Sequence, residues 1–173
     1  MEIKYIDIGT NLFNDQFKEK EEEIVAASTA IIITGTSIKS SKQAAAFVKD
    51  KNNIWATAGV HPHAARNCNE NSINQLKELL TNTNVVAVGE CGLDYDRMFS
   101  EKEVQLKWFE KQIELAEEVK KPLFLHERSA ASDFASVMKS HPAICHRSVV
   151  HCFTGDLKTV EQYLEFGCYI GIT

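Results

Sequence analysis

Short apolar runs in this sequence carry or precede residues that can bind a metal ion or transfer a proton. The first run carries Asp7, and four later runs lead to His61 and His63, to Glu90, to His126 and to His151. In a parallel α/β sheet the carboxyl ends of all strands lie at one edge, so these side chains are expected to converge. Histidine nitrogens and carboxylate oxygens suit ions such as Zn²⁺ and Mn²⁺. The pattern therefore predicts a metallohydrolase, in which the metal lowers the pKa of water and polarises a phosphoryl or carbonyl oxygen.

Each of these residues also has an ordinary structural interpretation. Glu90, which follows Gly89 at the end of a run, either coordinates a cation or caps a helix or makes a salt bridge. A single histidine after a strand is more often a satisfied polar residue than a ligand, but two on successive strands beside Glu90 favour a metal site. Asp94 and Asp96 either are solvated or orient a histidine.

Two further features extend the predicted site. Pro62 fixes the segment between His61 and His63, so the two rings are expected to point in different directions, one towards the metal or a phosphate and one capping the loop. Arg128 lies two residues after His126. It either clamps a phosphate as a bidentate donor or forms a surface salt bridge.

The secondary-structure elements predicted around these residues alternate between strand and helix. Strand-like runs are predicted at Tyr5–Gly9, Ala30–Thr34, Trp55–Val60, Val85–Gly89, Pro122–Leu125, Ser148–His151 and Cys168–Ile172. The segments between them have helical spacing, and in one of them the apolar residues Leu106, Phe109, Ile113 and Ala116 share a face.

Helix boundaries are predicted from capping residues. Ser100 and Glu103 are expected to form a capping box, Asp156 to begin the last helix and Gly167 to end it.

Apolar strands alternating with helices indicate an α/β fold with a parallel sheet covered by helices. A closed TIM-type (β/α) barrel has eight strands and typically roughly 250 residues, whereas this sequence has 173 residues and seven strand runs. The alternatives are an open sheet and a barrel without its last part. We favour an incomplete barrel with seven of eight strands, in a single domain spanning residues 1–173.

Composition narrows the functional classes. The net charge of −5 gives no overall electrostatic footprint for nucleic acid, so any such contact must be local. Five cysteines without a CxxC pair fit a reducing compartment. With no signal peptide and no apolar run of membrane-spanning length, a cytoplasmic protein with no membrane partner is expected. No GxGxxG, Walker loop or nucleophile elbow is present, which argues against a nucleotide cofactor and a serine hydrolase.

Six segments of the sequence form a recognisable set of motifs. They are Asp7-Ile8-Gly9-Thr10-Asn11-Leu12, Gly59-Val60-His61-Pro62-His63, Gly89-Glu90-Cys91-Gly92-Leu93-Asp94-Tyr95-Asp96, Leu125-His126, Val150-His151-Cys152-Phe153-Thr154-Gly155 and Tyr169-Ile170-Gly171-Ile172-Thr173. Together they resemble the motifs of the TatD family of metal-dependent deoxyribonucleases. The resemblance implies an amidohydrolase-like TIM barrel and metal-dependent DNA hydrolysis, often as a 3′–5′ exonuclease. It makes Glu90, His126 and His151 metal ligands.

Two departures from the family pattern bear on activity. Many members have a His-x-His pair on the first strand, where this sequence has Gly9 and Asn11. The family's last ligand is an aspartate in a Glu-Thr-Asp-Ala-Pro type segment of the eighth strand, which this sequence does not contain. We therefore expect a chain lacking its C-terminal part, with open edges at the first and seventh strands that encourage self-association.

These considerations lead to one hypothesis and two alternatives. In the hypothesis, the protein hydrolyses phosphodiester bonds with one or two divalent ions (Mg, Mn or Zn). His61 and His63 are catalytic, and Arg128 and Asn11 contact the substrate phosphate. DNA would bind through its phosphates. The alternatives are another ester- or amide-cleaving metallohydrolase on the same scaffold and a non-catalytic, metal-binding product.

Overall fold

The computed structural model describes residues 6–28 and 30–172, and their strands form a single parallel sheet. The strands pair in sequence order, as expected for a (β/α) barrel that is not closed. They are β1 (Asp7–Thr10), β2 (Ile31–Ile33), β3 (Ile54–Ala58), β4 (Val85–Asp94), β5 (Leu123–Arg128), β6 (Ser148–Val150) and β7 (Tyr169–Ile170). The predicted fold class is confirmed. Tyr5 of the first predicted run lies outside the described residues.

Every connection between successive strands contains at least one helix. The helices are α1 (Glu21–Ala27), α2 (Ile38–Phe47), α3 (Ser72–Leu79), α4 (Lys102–Val119), α5 (Ala131–Ser140), α6 (Pro142–Cys145) and α7 (Leu157–Glu165), with 3₁₀ turns at Asp15–Phe17 and Pro62–Asn67. None of the helices in the described ranges is long and apolar enough to cross a membrane.

Helix α4 shows why the predicted apolar stripe forms a helix against the sheet. Phe109, Ile113 and Ala116 are buried, and Leu106 packs against the same core from a half-buried position. Residues three and four apart lie on one face of a helix, so burying this stripe fixes the helix against the strands. This prediction is confirmed.

The predicted boundaries of α7 are also correct. The Asp156 side chain accepts a hydrogen bond of 2.8 Å from the backbone N–H of Thr159. Gly167 follows the helix with φ of 90°, a conformation that favours glycine.

The capping box predicted at Ser100 and Glu103 is wrong. Helix α4 begins after Glu101, one residue later than the pattern suggested. The Ser100 hydroxyl instead accepts a hydrogen bond from the backbone N–H of Arg66 (3.1 Å) and donates to the carbonyl of His63 (3.3 Å). A tertiary contact has taken the place of the local one.

Strand β4 is longer than predicted and continues from Gly89 to Asp94 alongside β5. The two strands are in register with Gly92 opposite His126. Gly92 has φ of 141°, and a side chain there would place a Cβ 1.9 Å from the His126 carbonyl oxygen. The glycine therefore permits the close approach that carries the strand on to Asp94.

Candidate metal centre

The buried carboxylate of Glu90 lies at the centre of a cluster of imidazoles. Its Oε1 atom is 2.6 Å from His151 Nε2, 3.1 Å from His126 Nδ1 and 3.5 Å from His61 Nε2. Glu90 is on β4 and His126 on β5, while His61 follows β3 and His151 follows β6. Four neighbouring strands thus bring their carboxyl ends to one point, as the sequence pattern predicts.

A second buried carboxylate, Asp94, lies beside the first. Its Oδ2 atom is 2.7 Å from His63 Nε2 and 3.2 Å from His126 Nε2. Both ring nitrogens of His126 are therefore within hydrogen-bonding distance of a carboxylate, Glu90 on one side and Asp94 on the other. The arrangement fixes the orientation of the His126 ring.

The electrostatics of the cluster distinguish its members. Burial lowers the pKa of His61 to about 3, against the opposing influence of the Glu90 charge. Burial alone would raise the pKa of Glu90, but hydrogen bonds from His126 and His151 outweigh it and hold that pKa well below the usual value. Burial would likewise lower the pKa of His126, yet the hydrogen bond to Glu90 raises it overall. Glu90 is therefore ionised and His61 is neutral, and His61 Nδ1 accepts a hydrogen bond of 3.1 Å from the His63 backbone N–H.

The donor atoms of this cluster fit a divalent cation. Within residues 6–28 and 30–172, ligand atoms of His61, Glu90 and His126 all lie within 4.8 Å of one another. Imidazole nitrogens together with a carboxylate oxygen suit Zn²⁺ and Mn²⁺. His61, which the sequence assigned to catalysis, is thus placed among the potential ligands, and His151 adjoins them through Glu90.

One cleft contains the residues that were predicted to be catalytic, to bind a metal or to contact a phosphate. The cleft has a volume of about 670 Å³, and its lining includes Asn11, His61, His63, Glu90, His126, Arg128 and His151.

Arg128 forms a surface salt bridge, which was one of the two roles predicted for it. Its Nε atom is 3.1 Å from Asp96 Oδ2, in an ion pair about half exposed on both sides, while the residue also lines the cleft. An exposed pair of this kind is weak, so the guanidinium can exchange Asp96 for another anion at little cost. Asp7, which was expected to converge with the other strand-end residues, is not among the residues that line this cleft. Its side chain accepts a hydrogen bond from the Gly9 backbone N–H in β1, an edge strand of the sheet.

Asp94 was named in the sequence as a residue that either is solvated or orients a histidine, and it is 1% exposed. It was not included among the predicted site residues because it lies beyond Gly89, the predicted end of the strand. A usable signal was present: residues four apart on a strand point to the same side, so Asp94 follows Glu90 on the face that carries the site.

Two buried glutamines of α4 were missed because nothing in the local sequence marks them. Gln105 Oε1 accepts a hydrogen bond from the Asp94 backbone N–H (2.8 Å), and its Nε2 donates to the Asp94 carbonyl (2.9 Å). Gln112 makes the same pair of bonds to the backbone of Val60, next to His61. The helix thereby fixes two strand ends that carry site residues.

A parallel half-barrel of alternating strands and helices, with a carboxylate–imidazole cluster at the carboxyl ends of its strands, defines a (β/α)-barrel protein of the metallohydrolase type. The family model described as TatD related DNase matches residues 6–173. The chain belongs to the TatD family.

Curated relatives extend over nearly the whole chain. The chain is 43% identical to the 3'-5' ssDNA/RNA exonuclease TatD of Edwardsiella piscicida, over 97% of this chain and 67% of the relative. It is 40% identical to the protein of the same name from Pantoea sp. (strain At-9b), over 96% of this chain and 66% of the relative. The chain thus spans about two-thirds of the length of these relatives.

Solved structures agree with this assignment. The TatD homologue YJJV of Escherichia coli K12 superposes with a TM-score of 0.86 at 28% identity, covering 96% of this chain and 66% of that one. A TatD family hydrolase of Entamoeba histolytica gives a TM-score of 0.82 at 30% identity, covering 99% of this chain and 65% of that one.

Proposed function

We propose that this protein is a divalent-metal-dependent nuclease that hydrolyses phosphodiester bonds of single-stranded DNA, as a 3′–5′ exonuclease. The observation that carries the proposal is the Glu90 cluster, in which one ionised carboxylate lies within 3.5 Å of three imidazole nitrogens. The names of the curated relatives support the substrate and the direction.

The metal would be held by Glu90, His126 and His151, with His61 as a further ligand. A bound divalent cation supplies electrostatic stabilisation of the phosphoryl charge and activation of water. A protonated imidazole has no lone pair to donate to a cation. His61 is already neutral, whereas His126, whose pKa is raised by its carboxylate partners, would have to release a proton when the cation binds. Glu90, ionised and 6% exposed, provides the negative charge that offsets the cation.

In the proposed mechanism His63 transfers a proton. Its Nε2 atom is 2.7 Å from Asp94 Oδ2, and the side chain is 28% exposed at the cleft. A histidine oriented by a buried carboxylate has the arrangement of a general acid or base. Asp94 acts here as a positioning residue.

Residues at the rim of the cleft would bind the substrate phosphate. Arg128 offers a guanidinium that can bind a phosphate through two parallel hydrogen bonds once it leaves Asp96. Asn11, which lines the same cleft after β1, offers an amide donor. These contacts to the nucleic-acid backbone carry no sequence information, which suits an exonuclease.

Degradation of a 5′-labelled single-stranded oligonucleotide with Mg²⁺ or Mn²⁺ tests the proposal. Glu90→Gln and His126→Ala should each reduce the rate by at least about 100-fold, more than the loss of an orienting partner causes. Glu161→Gln and His146→Ala, at exposed positions outside the cleft, are the matched controls and should keep the wild-type rate.

The pattern of results separates the alternatives. Unchanged activity in both cluster variants would refute the assignment of the site. Cleavage of carboxylic esters or amides but not of DNA would show a different hydrolase. Metal binding without turnover of any of these substrates would show a non-catalytic protein.

A further inference from the structure

The loop at residues 95–100, between β4 and α4, presents an aromatic side chain at the edge of the candidate metal centre. Phe99 is 48% exposed, and its ring centroid lies 4.8 Å from that of His63. The two rings meet at 79°, in an edge-to-face arrangement. In such a pair at least one face of the Phe99 ring is left uncovered by His63.

Hydrogen bonds hold both ends of this loop in place. At its start, Asp94 Oδ1 accepts bonds from the backbone N–H groups of Asp96 (3.0 Å) and Arg97 (2.9 Å). At its end, the Ser100 hydroxyl bonds to the turn that follows β3, and the Ser100 carbonyl accepts a bond of 2.8 Å from Gln105 Nε2. The aromatic ring is therefore presented to solvent by an anchored segment.

Rigid presentation of an exposed aromatic ring suits stacking more than it suits folding. Burial of a large apolar side chain stabilises a fold by about 1.5–3 kcal/mol, and a half-exposed ring forgoes much of that. A ring fixed before binding, in contrast, loses little conformational entropy when a flat partner stacks on it.

We propose that Phe99 is a base-stacking platform, which receives the nucleobase of a nucleotide whose phosphate is bound at the Glu90 cluster. The substrate class rests on the proposed nuclease function. His63 connects the two parts, since it contacts Phe99 on one side and Asp94 of the cluster on the other. Every base has a π-face, so stacking would bind single strands with little dependence on sequence.

If Phe99 stacks on a base, the affinity for a substrate depends on its bases as well as on its phosphates. A chain of abasic nucleotides keeps the phosphates and lacks the stacking partner. If Phe99 only supported His63, its loss would affect substrates with and without bases equally.

The stacking role is tested by measuring the binding of labelled oligodeoxynucleotides by fluorescence anisotropy. Ca²⁺ replaces Mg²⁺ in the binding buffer, and a gel confirms that the oligonucleotides stay intact. One oligonucleotide carries its bases, and the other has tetrahydrofuran abasic residues at its three 3′-terminal positions. Phe99→Leu should weaken binding of the first by about five- to hundredfold and leave binding of the second within about twofold. Tyr169→Leu, which alters an exposed aromatic on β7, is the matched control and should change neither.

The outcomes for this proposal and for nuclease function are distinct. Equal weakening of both oligonucleotides, no change in either, or no detectable binding of the base-containing strand by the wild type would overturn the stacking role. Base-dependent binding that requires Phe99, in a protein that does not cleave DNA, would support stacking and refute the nuclease. Cleavage at the same rate with and without bases, and with and without Phe99, would support the nuclease and refute stacking.

Discussion

The centre of the sheet and its two ends differ in burial and in their contribution to the cleft. In β4 all residues except Val86 are buried, whereas β1 and β7 contain no fully buried residue. Both carboxylates of the cluster are on β4, and the histidine between them is on β5. The ends contribute little to the cleft beyond Asn11, which follows β1.

This difference shows where a sheet can support charged groups away from water. Buried ionised groups are costly unless hydrogen bonds satisfy them, and the groups of a functional site must be held within about 0.5 Å of the right geometry. Strands with neighbours on both sides and a helix behind them provide that precision. The ends of the sheet, where apolar residues such as Ile6 and Ile172 are exposed, do not have to position partners for a buried charge.

The largest expected contrast is in the free energy of unfolding. Leu125→Ala in β5 removes a fully buried side chain and should cost about 2–5 kcal/mol, because the cavity cannot collapse completely. Ile172→Ala, at a residue that is 86% exposed, should change stability by less than about 0.5 kcal/mol. Urea unfolding measures both. Similar losses in the two variants would show that the ends are as important to the fold as the centre.

A smaller contrast is expected in catalysis. One oxygen of Asp94 is shared by two imidazoles and the other accepts from two backbone N–H groups. Asp94→Asn leaves an acceptor oxygen on one side only and removes the charge, so the rate should fall about 10–100-fold. Asp15→Asn, at an exposed turn after β1, should retain full activity. Rates of metal-dependent oligonucleotide degradation decide the matter, and an unaffected Asp94→Asn enzyme would remove Asp94 from the site.

A third contrast concerns the pH dependence of stability. Because the pKa of His61 falls from 6.5 when unfolded to about 3 when folded, the unfolded chain binds more protons between these values. Stability of the metal-free protein should therefore decrease as pH falls through this window, by at most about 1.4 kcal/mol per pH unit from this group.

His61→Gln should make that decrease shallower, and His146→Gln, an exposed residue at the opposite end of the strands, should not. Urea midpoints measured in EDTA between these pH values provide the test. Parallel curves for wild type and His61→Gln would contradict the buried, neutral state of His61.

Much of the fold and part of the site could be predicted from the sequence, because strand ends and amphipathic stripes are local signals. The histidines at 61, 126 and 151 and Glu90 each follow an apolar run, and convergence of parallel strand ends brings them together. The stripe of α4 and the Asp156 cap are local in the same way.

What escaped prediction depends on pairing between distant segments. The length of β4, and with it the place of Asp94, is set by its register with β5. Gln105 and Gln112 are important only because the helix lies against two strand ends. Ser100 fitted a local capping pattern, but its hydroxyl bonds to Arg66 and His63, which are far from it in the sequence.

The proposed nuclease function requires that the Glu90 cluster bind a divalent metal ion. Isothermal titration of Mn²⁺ into the metal-free protein tests it most directly, with Glu90→Gln compared against the wild type and against Glu161→Gln. We predict binding to the wild type and to Glu161→Gln, and at least about tenfold weaker binding to Glu90→Gln. Equal affinity in all three proteins would contradict the account.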